Sequence, residues 1–348
     1  MTARRRKRKK SSKKVNISLK KYLPYILIFL VVGFLIYRVV LLLSFKVDST
    51  QIPKENLSTD SSMVNTLLVF EQDERVVYME SITYSSSQKN ILRIPIPTDI
   101  YVTEDEVDSY PISSMKAVGE FLNYNYGRNY TVEYMSNLLG LKYDNYVWIV
   151  DSSNNTDEFL SELSVWSILF NLQFSHNLRN NVYSNLPILN LIKEVNSINQ
   201  FLSSYESEQM DISACCVEEV TLSSDRVRRQ FDTTSFDTEL SKYITGLVSR
   251  EVERERVNVE VYNGSNITGL ASEYARLVRH TGARILRYDN APNLYEETVI
   301  YIPEPEGYQN SLTLIRDVVG NNVKVRNERP QFVTTGDIVL ILGEDISN

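Results

Sequence analysis

Histidine and cysteine are almost absent from this chain of 348 residues, with two of each. His176 and His280 lie far apart, and no Cys/His spacing of a zinc centre exists. Two isolated histidines give no basis for a Ser-His-Asp arrangement, so each reads as structural. Cys215 and Cys216 are neighbours. A bond between adjacent cysteines closes only a small strained ring, so no disulfide framework is expected, nor an ordinary structural disulfide. They read instead as small apolar residues of a strand, Ala214–Val220. Glycine fingerprints for phosphate are missing too. There is no GxGxxG. Gly264 and Gly269 have the spacing of a phosphate-loop glycine pair, but Leu270-Ala271 follows where Lys-Ser/Thr is needed. The expected roles are structural, with Gly264 allowing a turn and Gly269 permitting close packing at a helix start.

Acidic residues are absent from residues 1–21, which carry eleven Lys or Arg. The run Arg4-Arg5-Arg6-Lys7-Arg8-Lys9-Lys10 leads, and the apolar stretch Leu23–Phe45 follows at once. At about 1.5 Å rise per residue, a helix of that length crosses a hydrocarbon core of about 30 Å. The positive-inside rule then keeps the N-terminus in the cytoplasm and puts everything after Phe45 outside. Arg38 is costly in such a span. It lies near the outer end, where its long side chain can snorkel to the interface. The exit Leu43-Ser44-Phe45-Lys46 lacks the small-residue pattern of a cleavage site, which favours an uncleaved anchor over a signal peptide.

Beyond residue 21 the chain holds 26 basic against 44 acidic residues, a formal charge of −18. A general nucleic-acid-binding surface is thereby excluded, and the basic tail reads as an orienting device rather than a nucleic-acid arm. The part past the anchor is long enough for two domains of ordinary size. Residues 46–62 are polar, carry Pro53 and read as a stalk.

Val64–Phe70, Arg75–Glu80, Asn90–Pro95 and Tyr146–Val150 are rich in apolar and aromatic residues and read as strands, with a turn over Ser85–Asn90. Thr131–Leu139 reads as a helix stopped by Gly140. Thr156–Phe174 has helical apolar spacing, and a second helix is expected from Ser184 or Asn185 with Pro187 in its first turn. The charged run over residues 249–256 reads as a solvated helix face or connector. From Val257 the pattern sharpens. Val257–Tyr262 alternates as a strand, and Thr268–His280 is an amphipathic helix with Gly282 past its end. Arg284–Tyr288 and Thr298–Ile302 are strands. Leu312, Ile315, Val318 and Val319 mark a helix before Gly320, Val323–Val325 is a short strand, and Ile338–Leu342 is a central one. The order β-α-β-β-α-β-β describes a small α+β sandwich with its helices on one side of the sheet.

This last segment carries a resemblance. Val261-Tyr262-Asn263-Gly264, Gly269-Leu270-Ala271, Gly282, Asn290-Ala291-Pro292 and Asp337-Ile338-Val339-Leu340-Ile341-Leu342-Gly343 resemble the C-terminal domain of LytR–CpsA–Psr proteins, over about residues 256–345. The preceding part resembles the catalytic domain of the same family more faintly. Asp99 fits its Pro-Arg-Asp segment, but Thr98 replaces the arginine. Residues 131–148 resemble the family's helix, Leu-Leu-Gly and strand, and Arg226-Val227-Arg228-Arg229-Gln230 keeps its R-x-x-R-Q form.

The resemblance implies transfer of a polyprenyl-pyrophosphate-linked glycopolymer to peptidoglycan, with arginines around the pyrophosphate and carboxylates on Mg²⁺. A pyrophosphate needs several fixed cations, and bidentate arginine forks are the usual solution. Here Thr98 supplies no charge, the strand near Arg75 lacks the family's acid, and the family's lysine falls near Tyr110-Pro111. What remains for catalysis is Asp99, Arg226 and Arg229, with Arg75 a lesser candidate. The acidic run Glu104-Asp105-Glu106 with Asp108 reads as a solvated loop that would attract a divalent ion at most.

The expectation is therefore a mixed α/β and α+β chain. A cytoplasmic tail (1–21) and a single transmembrane helix (22–45) lead through a stalk (46–62). A divergent LytR–CpsA–Psr-like α/β domain (63–255) and a LytR C-terminal-like domain (256–345) follow. It would be a plasma-membrane protein of the bacterial envelope, with no cofactor unless transfer is retained, when Mg²⁺ is implied. Expected partners are the membrane, a cell-wall glycopolymer or polyprenyl-linked precursor, and an envelope protein, but no nucleic acid. The expected function is non-catalytic binding in wall or envelope biogenesis, with an active glycopolymer phosphotransferase as the alternative.

Overall fold

The computed structural model describes residues 19–43, 63–104, 107–122, 127–150, 163, 167, 171–204, 207–221, 227–320 and 323–347. Helix α1 (Leu19–Leu43) forms from an almost unbroken run of aliphatic and aromatic residues. Its Tyr22–Val40 stretch is long and apolar enough to cross a membrane. The basic tail before Leu19, Ser44-Phe45 and the stalk 46–62 lie outside the described residues. Met1–Phe45 and Lys46–Asn348 form two separate units.

The second unit begins with a sheet of six strands. β1 (Val64–Gln72), β2 (Arg75–Ser85) and β3 (Asn90–Ile96) run antiparallel to one another. β4 (Tyr101–Glu104) and β5 (Val107–Pro111) form a hairpin, followed by α2 (Met115–Phe121) and α3 (Gly127–Leu139). Gly140 ends α3 at φ +62°, the left-handed stop that its position predicts. β6 (Asn145–Val150) returns to the sheet parallel to β1. Then come α4 (Leu172–Asn181), β7 (Val182–Ser184), α5 (Ile188–Ser204) and β8 (Ser207–Gln209). The strand order is β7-β6-β1-β2-β3-β8.

β1 is buried along almost its whole length because the sheet is covered on both faces. Leu67, Val69, Met79, Leu92 and Ile94 face a core shared with Met135 and Leu139 of α3 and with Phe236 and Leu240. On the opposite face α5 packs down. Its Glu194 accepts hydrogen bonds from Thr66 Oγ1 (2.7 Å) and the Tyr84 hydroxyl (2.8 Å), and Phe201 lies 5.0 Å from the Tyr84 ring.

Burial raises the Glu194 carboxyl above its ordinary value, against the pull of those hydrogen bonds. The folded state therefore binds more protons than the unfolded chain once pH exceeds the ordinary carboxyl value of 4.5. Stability contributed by this group is full below that value and is lost as pH rises towards the folded one. Glu194→Gln is expected to flatten that decline and to be the more stable protein at pH 8. Urea midpoints at pH 4.5 and pH 8 test this, and an E194Q variant equally sensitive to pH would refute it.

A second sheet holds the order β5-β4-β10-β9. It uses α6 (Ile212–Cys215), β9 (Val217–Thr221) and β10 (Val227–Phe231), and α7 (Thr233–Ile244) leaves it, capped by Asp232. α8 (Arg250–Glu255), capped by Ser249, occupies the charged run.

One expectation lies outside the described residues, and three change here. Most of Thr156–Phe174 lies outside the described residues, so that helix has no counterpart to compare. Ser184 closes β7, and α5 begins only after Pro187, because Ser184 Oγ bonds the Tyr146 carbonyl and holds residue 184 in the sheet. Ala214–Val220 is not one strand. Asp211 caps a short helix that takes Ala214 and Cys215, and the strand starts at Val217. Cys215 and Cys216 are joined to each other at the end of that helix, where two unlinked apolar strand residues and no ordinary disulfide were expected.

The final sheet, β12-β11-β15-β13-β14, is the expected sandwich. It comprises β11 (Asn258–Asn263), α9 (Leu270–Arg279), β12 (Arg284–Asn290), β13 (Val299–Tyr301), α10 (Gln309–Val319), β14 (Lys324–Arg326) and β15 (Ile338–Leu342). Apolar residues of both helices share one core with Val259, Val261, Ile338 and Leu340. The other face holds Tyr262, Val299, Tyr301, Val339 and Ile341, packed under Tyr295 and Phe332. The two glycines exchange their expected roles. A Cβ on Gly264 would meet the Leu342 carbonyl at 2.9 Å, so close packing fixes that residue. Gly269 has open space around it and sits at φ +83°, so backbone conformation fixes this one.

The sandwich is tied to what precedes it by its helices. Glu255 accepts from the backbone N–H groups of Asn310 and Ser311 at the start of α10, and Lys142 donates to the Val318 carbonyl at its end. Both charges suit the helix dipole.

Candidate functional site

Asp99 lies in the loop after β3, and Arg229 lies on β10, which pairs with β4 at Gln230↔Tyr101. That pairing brings the two together. Arg229 Nη1 donates to both Asp99 oxygens, at 2.8 and 2.7 Å, and Nη2 donates to Ser213 Oγ on α6 at 3.0 Å. Next to it the Arg228 guanidinium sits over the Tyr101 ring, 4.9 Å from its centroid. The pair is exposed, with 30% and 61% of the two side chains open to solvent.

Arg226 falls outside the described residues. Arg75 opens β2 as an exposed residue. Asp105 and Glu106 are outside the described residues, while Glu104 ends β4 and Asp108 lies in β5. Among the described residues, the implied Mg²⁺ finds no suitable donor set around this pair. Such an ion takes carboxylate oxygens, and both oxygens of Asp99 face a guanidinium. Among the described residues, no three His, Cys, Asp or Glu side chains gather closely enough to hold a metal.

A polar centre that the sequence reading overlooked lies at the end of β1. Glu71 is buried, and its two oxygens accept from Lys116 Nζ and from Trp148 Nε1, each at 2.6 Å. Its signal was an acid directly after the apolar run Leu67–Phe70. A second overlooked centre gathers around Asp237 of α7. Arg276 grips that carboxylate with Nε at 2.8 Å and Nη2 at 2.7 Å, and also donates to the carbonyls of Asn137 and Leu138 at the end of α3. The basic residues Arg276, Arg279 and His280 have the i, i+3, i+4 spacing of one helix face, which is the signal that was available.

His280 is buried, with Nδ1 2.7 Å from the Gly140 carbonyl. A carbonyl only accepts, so Nδ1 carries the proton. Nε2 is then left 3.7 Å from Asp237 with no hydrogen bond. Burial holds this imidazole below its ordinary value, opposed by Asp237 and supported by Arg276 and Arg279.

Residues 256–345 match the family model of the LytR cell envelope-related transcriptional attenuator. The match has the bounds of the resemblance drawn from the motifs. The segment bearing α9 and α10 is thus a LytR C-terminal domain, a cell-envelope-related module. No curated protein matches the chain. Solved structures similar to it include Bacillus subtilis TagT, with 13% identity over 59% of this chain and 99% of that one, at a TM-score of 0.38. Bacillus subtilis TagV has 14% identity over 53% of this chain and 97% of that one, at 0.38. A LytR-CPS2A-psr family protein, YwtF (TagT), was solved with bound octaprenyl pyrophosphate lipid. It shares 12% identity over 59% of this chain and 98% of that one, at 0.38.

Proposed function

We propose that the chain is a membrane-anchored protein of the bacterial envelope that binds and does not transfer. The basic tail sets the N-terminus in the cytoplasm, α1 spans the membrane, and both domains stand outside it. There the protein acts in cell-wall or envelope biogenesis by holding a glycopolymer, a lipid-linked precursor or a protein partner. The LytR C-terminal domain supports the envelope part of this reading. The Asp99–Arg229 ion pair carries the non-catalytic part. Pyrophosphate transfer needs a guanidinium open to the phosphates and a carboxylate open to the metal, and here each occupies the other.

One observation favours the alternative, an active glycopolymer phosphotransferase: Asp99 and Arg229 meet, and a small rotation of an exposed pair would part them. The two readings separate in one assay. The full chain in detergent is incubated with a polyprenyl-pyrophosphate-linked saccharide, a peptidoglycan acceptor and Mg²⁺. No turnover above the protein-free rate is expected. Turnover that disappears in Arg229→Ala and Asp99→Ala would establish the transferase instead.

A further inference from the structure

Where α7 faces α9 and β12, a cleft of about 350 Å³ opens. Small-molecule sites span about 300–1,000 Å³, so it is of sufficient size. Its walls are Thr233, Thr234 and Thr238 from α7, Ser272 and Arg279 from α9, and Tyr288 from β12. Asp237 and Arg276 also border it, but they are spent on each other in the bidentate fork. Arg279 is different. Its Nη1 stands 3.9 Å from Asp237, beyond hydrogen-bond length, and 43% of its side chain is exposed. The cleft therefore has one surplus positive charge.

The remaining surface is hydroxyl and phenol. Thr238 and Ser272 donate to the carbonyls of Thr234 and Gly269, which leaves their oxygens able to accept. Among the described residues, no hydrogen bond engages the hydroxyls of Thr233, Thr234 or Tyr288. Tyr288 is 52% exposed and presents an aromatic ring at the rim.

This inventory selects a ligand class. An apolar molecule would strand the hydroxyls. A cation would meet the surplus charge. A bare anion would use Arg279 and leave the hydroxyl wall and the ring unused. We propose that the cleft is a binding site for an anionic saccharide, a ring sugar carrying one phosphate or carboxylate. Arg279 takes the oxyanion, the threonine and serine hydroxyls meet the sugar hydroxyls, and Tyr288 covers the C–H face of the ring. The site shares no residue with the Asp99–Arg229 pair and does not rest on the non-catalytic reading. Loss of one leaves the other standing.

Calorimetric titration of the full chain in detergent tests it with five probes: glucose 1-phosphate, glucuronate, glycerol 3-phosphate, inorganic phosphate and glucose. Glucose 1-phosphate or glucuronate is expected to bind at least tenfold more tightly than both glucose and inorganic phosphate. The preferred one of the pair identifies the anion. Arg279→Gln should weaken that binding at least tenfold with an unchanged urea midpoint. Tyr288→Ala should weaken the sugar anion and leave inorganic phosphate unaffected. The proposal is overturned if none of the anions binds, if inorganic phosphate matches the sugar anion, or if R279Q binds as the parent does.

Discussion

Lys116→Met is expected to lower the unfolding free energy by about 3–5 kcal/mol, the usual result of leaving one member of a buried ion pair without its partner. Only 3% of the Glu71 side chain and 15% of Lys116 reach solvent. One Glu71 oxygen depends on Lys116 and the other on the Trp148 indole. Methionine preserves most of the aliphatic stem of Lys116, so the loss reports charge rather than volume. The double variant Glu71→Gln/Lys116→Met removes both charges and keeps an acceptor for Trp148. It should recover most of the stability, because neutral groups of matching shape lack the desolvation penalty of an unpaired carboxylate. Urea unfolding at constant m-value measures both. A single variant costing less than about 1 kcal/mol, or a double variant no better than the single, would refute a buried pair whose loss follows this rule.

The same centre shows which parts of the molecule its sequence discloses. Strand and helix periodicity is local, so Val64–Gln72, Asn258–Asn263 and Ile338–Leu342 were readable within one or two residues. The glycine stop at Gly140 was readable for the same reason: it depends on one residue's backbone. Glu71, Lys116 and Trp148 are spread over 77 residues and meet only after β1, α2 and β6 have packed. No window of sequence contains that contact. Asp99 and Arg229 stand 130 residues apart, and the motifs named both without indicating that they would bond to each other. Gly264 and Gly269 give the opposite lesson. Their structural role was legible, but which one served packing depended on Leu342, a residue of another strand.

Arg276→Ala should have the second large effect, a loss of about 3 kcal/mol near pH 8, since it breaks a mostly buried fork and frees two helix-end carbonyls at once. The fork's partners are 19% and 15% exposed, and Asn137 and Leu138 belong to the last turn of α3, where carbonyls have no partner within the helix. The loss should depend on pH. In the parent, burial and the nearby arginines keep His280 neutral, so its folded value lies below 6.5. The parent therefore loses stability from this group as pH falls below the unfolded value. Without Arg276, a cation leaves the neighbourhood and Asp237 turns its charge on the bare Nε2, 3.7 Å away. Both changes raise the folded value. A raised value gives stability that is present at low pH and lost as pH rises. The gap between parent and variant should therefore narrow between pH 8 and pH 5.5. His280→Asn placed in both backgrounds should abolish the narrowing. An equal gap at the two pH values would show that Asp237 does not act on His280, and that Arg276 holds the LytR C-terminal domain by hydrogen bonds alone.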